Sequence, residues 1–157
     1  MAKIEMGKDF DEYITALSNL EKDKSVPIMK MSVYDGAGII VDSLRKEINS
    51  WSNDNPKNGP TETDKKDLLK GLGISPMEYK SDDINVKIGF VGYGHKTNKY
   101  NSKGVPIPMI ARSIISGTSF RKKYDFVGKV VRKNKNNAIK QMDETLNKEI
   151  EKRLNNG

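Results

Sequence analysis

Apolar residues recur at steps of three and four from Pro27 to Trp51, which is typical of a helix with one buried face. Pro27 suits a position in the first turn, where its missing N–H costs nothing. Gly36 and Gly38 each weaken a helix by about 1 kcal/mol relative to alanine, so we expect another backbone to pack closely there. The predicted buried face comprises Val33, Ala37, Ile40, Val41, Leu44, Ile48 and Trp51.

The longest predicted helix is the C-terminal one, from Phe126 to Leu154. Its stripe of apolar residues is narrow, and many of the positions between them are charged, so we expect this helix to project from the domain. The residues of the stripe are Val127, Val131, Ala138, Met142, Leu146, Ile150 and Leu154.

Two shorter helices are predicted in the middle of the chain. One is capped by Thr61 or Thr63, carries three leucines, and is stopped by Gly71 and Gly73. The other runs from Pro106 to Ser116 and ends at a glycine. Both lie beside long polar loops, of which Ser52–Pro60 is one.

The segment Ile84–Phe90 changes to a period of two, which predicts a half-buried β-strand. A turn at Ser81–Asp83 would pair it with Met77–Lys80 as a hairpin. After this strand, the segment Gly92–Val105 has no periodicity and is rich in Gly, Asn and Lys, so it is predicted to be a long loop.

The N-terminal segment is predicted to contain a short strand, Lys3–Met6, followed by a helix capped by Asp9. Glu12 lies three residues after Asp9, as in a capping box. This helix should end near Lys22–Ser25, and its apolar face comprises Phe10, Tyr13, Ile14, Leu17 and Leu20.

Together these elements predict a single α+β domain over residues 1–157. In this fold a short antiparallel sheet packs against two or three helices, with a long C-terminal helix and a long flexible loop. A chain of 157 residues is long enough to bury one core. It contains no cysteine, and no apolar run approaches membrane-spanning length. We therefore expect a protein made and kept in a cytoplasm, or packed into a particle assembled there.

The residues with catalytic chemistry do not form a recognisable constellation. His95 is the only histidine, it lies in the long loop, and the sequence places nothing beside it that would orient it. The acidic groups at Asp9–Glu12, Asp82–Asp83 and Asp143–Glu144 lie where solvated charge is expected. We therefore expect no catalytic, cofactor-binding or metal-binding residues, no cofactor, and no enzymatic activity.

One motif comes close to a phosphate-binding loop. Gly89 and Gly94 have the required separation, but His95 displaces the following lysine and threonine by one place. No helix is predicted directly after the run, and the motif depends on a helix N-terminus. A nucleotide-dependent enzyme therefore remains only a minor alternative, which nucleotide-dependent thermal stabilisation would revive.

The net charge of +7 is unevenly distributed. Residues 121–140 contain eight Lys and Arg residues and one acidic residue, Asp125. Clustered positive charge implies an acidic partner such as nucleic acid, an acidic protein face or a membrane surface. The candidate residues for contacts with a partner or with DNA are Lys96, Lys99, Lys103, Arg121, Lys122, Lys123, Lys129, Arg132, Lys133 and Lys135.

Several stretches together resemble the neck or tail-completion proteins of tailed bacteriophages. The opening Ile4–Ile14, the long helix after Pro27, and the blocks Gly71–Met77 and Val86–Phe90 are similar to parts of that family. The segment Ile110–Ser119 resembles the family's Ala-Arg…Gly-Thr-Ser block, and the family also has an aromatic pair with basic flanks and a long terminal helix. Members often carry prolines and an arginine just before that helix, where this chain has Lys122–Phe126.

The resemblance implies a structural virion protein of the head–tail connector. Its subunits would form a ring, expected to be hexameric, between the portal–adaptor complex and the tail terminator or tail tube, with genome DNA passing through the lumen. It implies no catalytic residues and no membrane. On this interpretation, glutamate at Arg121, Lys122 and Lys123 should leave the fold intact but stop heads joining tails. The alternative is a small basic protein that binds nucleic acid without sequence specificity.

Overall fold

The architecture is that of a computed structural model, which describes residues 22–52, 59–80 and 83–155. Within these ranges the chain is α+β, as the sequence predicts. It has four helices: α1 (Lys22–Asn49), α2 (Glu62–Gly71), α3 (Ile107–Ser116) and α4 (Phe126–Asn155). The predicted N-terminal strand, most of the predicted N-terminal helix and most of the Ser52–Pro60 loop lie outside the described residues. The predicted end of that helix near Lys22–Ser25 was wrong, because these residues belong to α1.

Helices α1 and α4 pack antiparallel along most of their length and form the main scaffold of the domain. The Ser32 hydroxyl donates a hydrogen bond of 2.8 Å to the Met142 carbonyl. The Thr145 hydroxyl donates one of 2.7 Å to the Asp35 carboxylate. The expectation that the C-terminal helix projects was therefore wrong. The narrow apolar stripe of α4 is enough to hold the helix against the domain, because α1 presents an equally long face to it. Ala138, Met142 and Leu146 are buried in this contact.

The two glycines of α1 differ in their surroundings. A Cβ at Gly36 would lie 2.4 Å from Met142 Cγ and 3.2 Å from the Ala138 carbonyl oxygen, so the predicted close packing is confirmed there. At Gly38 a Cβ would meet nothing within 4 Å, and the same prediction was wrong. Only Gly36 is needed for the contact between α1 and α4.

The start of α1 also differs from the prediction. The helix begins at Lys22, so Pro27 is its sixth residue rather than part of the first turn. The φ angle of proline is helical, and at this position the missing N–H would have bonded only to the carbonyl four residues back, near the helix start. One lost hydrogen bond so close to the end leaves the helix continuous.

The strands form two separate antiparallel pairs. Strand β1 (Leu72–Ile74) pairs with β4 (Ile88–Phe90), with Gly73 opposite Gly89. Strand β2 (Glu78–Lys80) pairs with β3 (Asp83–Asn85), with Tyr79 opposite Ile84. The predicted hairpin is confirmed, but the predicted strand Ile84–Phe90 is divided. Pro76, which cannot donate to a ladder, separates β1 from β2 on the partner side, so each half pairs independently.

The remaining elements follow the sequence closely. Thr61 caps α2 in a capping box in which Asp64 accepts from the Thr61 N–H. Helix α3 begins one residue after Pro106 and ends before Gly117, whose φ of 76° favours glycine. Asp125 accepts a hydrogen bond of 2.9 Å from the Gly128 N–H and so caps α4. The predicted ends of these helices are confirmed within one or two residues.

Candidate functional site

The loop Gly92–Val105 is anchored to α2 through a buried carboxylate. Asp67 is completely buried, and it accepts hydrogen bonds from the backbone N–H of His95, at 3.0 Å, and from the imidazole Nδ1. His95 itself is 66% exposed. The sequence-based expectation that nothing orients His95 was therefore wrong. The loop is long, as predicted, but its first half is held against the helix.

A second buried carboxylate, Asp64, binds two of the predicted basic site residues. Its oxygens lie 3.1 Å from Lys96 Nζ and 2.9 Å from a guanidinium nitrogen of Arg121. Burial by itself raises the pKa of the Asp64 carboxyl. The Thr61 N–H, Lys96 and Arg121 together outweigh that effect and hold its pKa below the usual value. Lys96 and Arg121 are thus structural cations rather than free contacts for a partner.

This changes the expectation for the Arg121, Lys122 and Lys123 triple replacement. Arg121 is only 15% exposed and also donates to the Ser113 hydroxyl at 2.9 Å. Glutamate at this position would place a second carboxylate beside buried Asp64 and remove one of its two cations. The fold would be damaged, so only Lys122 and Lys123 are suitable for a test of binding.

The sequence analysis did not identify Asp64 and Asp67 as buried carboxylates, although their spacing indicates it. Positions 64, 67, 68 and 71 follow helical spacing, so Asp64 and Asp67 share a face with Leu68 and Gly71. All four residues are buried. Two aspartates on the apolar face of a short helix indicate that cations from elsewhere in the chain will reach them.

Glycines allow the loop to close on α2. A Cβ at Gly94 would lie 2.4 Å from Asp67 Oδ2. Gly104 has a φ of 118°, and its Cβ would lie 2.3 Å from the Gly94 carbonyl oxygen. The Gly94 N–H donates to the Val105 carbonyl at 2.8 Å, which joins the two ends of the loop. Of the two glycines that resembled a phosphate loop, Gly94 therefore serves loop closure, while Gly89 lies in strand β4.

This segment also lacks other features of a phosphate-binding loop. The segment after Lys96 forms a turn in which Asn98 and Asn101 pair, and α3 begins only at Ile107. Lys96 Nζ is occupied by Asp64 and by the Thr61 hydroxyl, at 2.9 Å. No helix N-terminus follows the glycines to hold a phosphate.

The remaining basic candidates are exposed and make no ion pair with another described residue, with one exception. Lys129 lies 3.6 Å from Glu47 and 5.5 Å from the centre of the Tyr124 ring. The free residues lie in the loop, before α4, and on the side of α4 that faces away from α1. They are Lys99, Lys103, Lys122, Lys123, Arg132, Lys133 and Lys135.

We call the last five of these, Lys122, Lys123, Arg132, Lys133 and Lys135, the basic face. The one acidic residue of the segment, Asp125, is occupied as the N-cap of α4. Positive charge on the basic face is therefore not neutralised by the described part of the chain. One exposed aromatic ring lies nearby in sequence, that of Phe120, which is 72% exposed.

The N-terminal end of α4 is held in place by a cluster of aromatic and charged side chains. Trp51 stacks edge-on against Phe126, with ring centres 4.9 Å apart. The Tyr124 hydroxyl donates to Glu47, which lowers the pKa of that carboxyl, and Lys129 adds to the effect. Burial, together with the bond to Glu47, raises the pKa of Tyr124. These contacts keep the start of the basic face in a fixed position relative to α1.

An open apolar groove of about 650 Å³ lies between the β1–β4 pair, α3 and the start of α4. Its walls are formed by side chains from five elements, and Lys87 and Arg112 place positive charge beside it. The apolar lining includes Leu44, Ile74, Phe90, Ala111, Ile115 and Val127. None of the basic candidates lies in the groove, so the groove and the basic face are separate surfaces.

His95 and Asp67 have the orientation of a general base and its partner, but no serine or threonine hydroxyl bonds to His95 among residues 22–52, 59–80 and 83–155. In the same ranges no group of three acidic or histidine side chains could hold a metal ion. No helix in the described part of the chain is both long and apolar enough to cross a membrane.

Comparison with known proteins returned no relative. A scan of protein families, a search of curated proteins and a search of solved structures each found no match to this chain.

Proposed function

We propose that this chain is a structural protein of the head–tail connector of a tailed bacteriophage. Its subunits form a ring, expected to be hexameric, between the portal–adaptor complex and the tail terminator or tube, and DNA passes through the lumen. The sequence resemblance over most of the chain motivates the proposal. The observation that carries it is the exposed basic face, which has no acidic partner among the described residues.

A basic face of this kind suits contact with DNA that moves past the protein and is not recognised by its base sequence. Contacts between lysine or arginine and phosphate are independent of sequence. Three of its residues, Arg132, Lys133 and Lys135, lie on α4, which is packed against α1 along most of its length, so these charges are held on a rigid element. A subunit in a ring also needs surfaces for its neighbours. Tyr93 and Tyr100 of the anchored loop are 64% and 85% exposed and would serve in such contacts.

The proposal is tested by reversing charge on the basic face in the phage itself. We expect Lys122→Glu combined with Lys123→Glu to leave the protein folded and to yield separate heads and tails. A matched control, Lys148→Glu with Lys152→Glu, makes the same change in charge near the other end of α4, where both side chains are also exposed. The control should give joined, infectious particles. Normal infectious particles from the first variant would contradict the proposal.

One observation favours the alternative, a free nucleic-acid-binding protein. Phe120 is exposed beside Lys122 and Lys123, and an exposed ring next to cations can stack on a base. This alternative predicts that the purified protein binds DNA with an affinity that falls steeply with salt, and that phage particles lack it. Titration of DNA at two salt concentrations, combined with a protein inventory of particles, distinguishes the two functions.

A further inference from the structure

Strand β4 has an edge that faces away from its partner strand. The Lys87 carbonyl and the Val91 N–H bond to the residues that flank β1, at 2.8 Å and 2.9 Å. Every second residue of an antiparallel ladder bonds to the partner strand, so the N–H and C=O groups of Ile88 and Phe90 point away from β1. These groups have no hydrogen-bond partner within the described ranges. An edge of this kind can pair with another extended segment.

The same strand forms a wall of the apolar groove. Ile88 and Phe90 line the groove, together with Ile115 of α3. Helix α3 is joined to the end of β4, where the Ile107 N–H donates to the Gly92 carbonyl at 2.9 Å. Because side chains alternate along a strand, a segment added to β4 would direct every second side chain to the same face as Ile88 and Phe90. Apolar residues at those positions would cover the groove and be removed from water.

Positive charge at the groove favours an acidic occupant. Lys87 and Arg112 lie in its lining, and no acidic residue of the described part of the chain does. Arg112 is exposed and makes no ion pair with a described residue, while Lys87 has a partner that is itself partly exposed, Glu78 at 3.2 Å. Carboxylates next to the apolar residues of an occupant are complementary to both cations.

We propose that the groove binds an extended, acidic segment of a partner protein, which adds to the edge of β4 as a further strand. Its apolar residues face the groove, and carboxylates on the same face lie within reach of Lys87 or Arg112. A second copy of this chain is a poorer occupant, because two copies with a net charge of +7 each repel one another. The proposal does not depend on the proposed function, since a connector subunit and a free protein present the same groove.

Two synthetic peptides, each acetylated and amidated, test the chemistry of the occupant. In a strand, DTVTVTD places its aspartates and valines on one face and its threonines on the other, and KTVTVTK reverses the charge at the same positions. Each is titrated into the isotope-labelled full-length protein up to about 1 mM, and NMR spectra of the backbone amides report binding.

We expect DTVTVTD to bind at least about tenfold more tightly than KTVTVTK, because the two cations at the groove attract its aspartates and repel the lysines. Equal affinity for the two peptides would overturn the proposal. An unchanged spectrum with DTVTVTD at the highest concentration would overturn it too.

Amide hydrogen exchange tests whether the peptide binds as a strand. Saturation with DTVTVTD should slow the exchange of the Ile88 and Phe90 N–H groups about tenfold, because both gain a hydrogen-bond partner. The Gly89 N–H faces β1 and serves as the internal control. Unchanged exchange of Ile88 and Phe90 in the bound protein would overturn strand addition. Slow exchange of both amides before peptide is added would also overturn it, since the edge would then be occupied by a second copy or by another part of the chain.

Charge reversal at the groove supplies an independent test. Lys87→Glu combined with Arg112→Glu should exchange the preference, so that KTVTVTK binds more tightly than DTVTVTD. The matched control, Lys148→Glu with Lys152→Glu, makes the same change in net charge on α4 outside the groove and should keep the preference of the parent. All four positions are exposed, so both variants should keep the helical circular dichroism of the parent. A groove variant that still prefers DTVTVTD would contradict the proposal.

Discussion

Replacement of Asp64 by asparagine tests the contacts that hold the long loop and the start of the basic face against α2. The change removes the negative charge that Lys96 and Arg121 share but keeps the size of the side chain. Arg121 is 15% exposed, so its guanidinium would lose its counterion in a mostly buried place.

The expected loss of stability follows from these contacts. Removing one partner of a fully buried ion pair costs about 3–5 kcal/mol. The Arg121 pair keeps some solvent contact and Lys96 is 44% exposed, so solvent screening reduces both contributions. Asparagine can still accept the Thr61 N–H. We therefore expect a loss of about 3 kcal/mol, which for a chain of this length lowers the Tm by about 6–12 °C.

Thermal unfolding followed by circular dichroism measures the loss, and the pH dependence adds a second readout. The pKa of Asp64 is lowered in the fold, so its contribution is complete above the unfolded value of about 3.9 and is lost as pH falls through the folded pKa. The gap between parent and variant should therefore be full at pH 7 and shrink below about pH 4. The control is Asp42→Asn, an exposed aspartate on α1. A Tm change no larger than the control's, or a gap that persists at low pH, would refute the reasoning.

Two further predictions concern the α1–α4 pair. Gly38→Ala should stabilise the protein by up to about 1 kcal/mol, because the site is open and alanine favours helix. Gly36→Ala should instead destabilise it by about 1–3 kcal/mol, because the new methyl overlaps Met142; equal effects in urea unfolding would contradict the packing. Tyr124→Phe should cost about 1 kcal/mol through the lost bond to Glu47, and an unchanged urea midpoint would show that this bond contributes nothing.

The sequence predicts the helices well because their signals are local. The steps of three and four in α1 and α4, the Thr61 cap and the Gly117 stop each involve residues within a turn or two of one another. The division of Ile84–Phe90 into two strands could not be predicted in the same way. It depends on the pairing of β4 with β1 across the β2–β3 hairpin, whereas the pairing of β2 with β3 is local.

The same distinction applies to the candidate site. Clustering of positive charge before and along α4 is visible in the sequence because the residues are neighbours there. Asp64 lies 32 positions from Lys96 and 57 positions from Arg121 in the sequence. Their ion pairs are therefore visible only in the fold. Charge counting alone therefore assigned to a partner two residues that pair with a buried carboxylate of the same chain.

Locating the protein in native particles tests the connector proposal most directly. Phage or phage-like particles from the host would be purified and imaged by cryo-electron microscopy. We predict a ring of density at the head–tail junction into which the α1–α4 pair fits, with the basic face toward the lumen. Particles without this chain, combined with its recovery on cellular DNA, would contradict the connector proposal and favour the nucleic-acid-binding alternative.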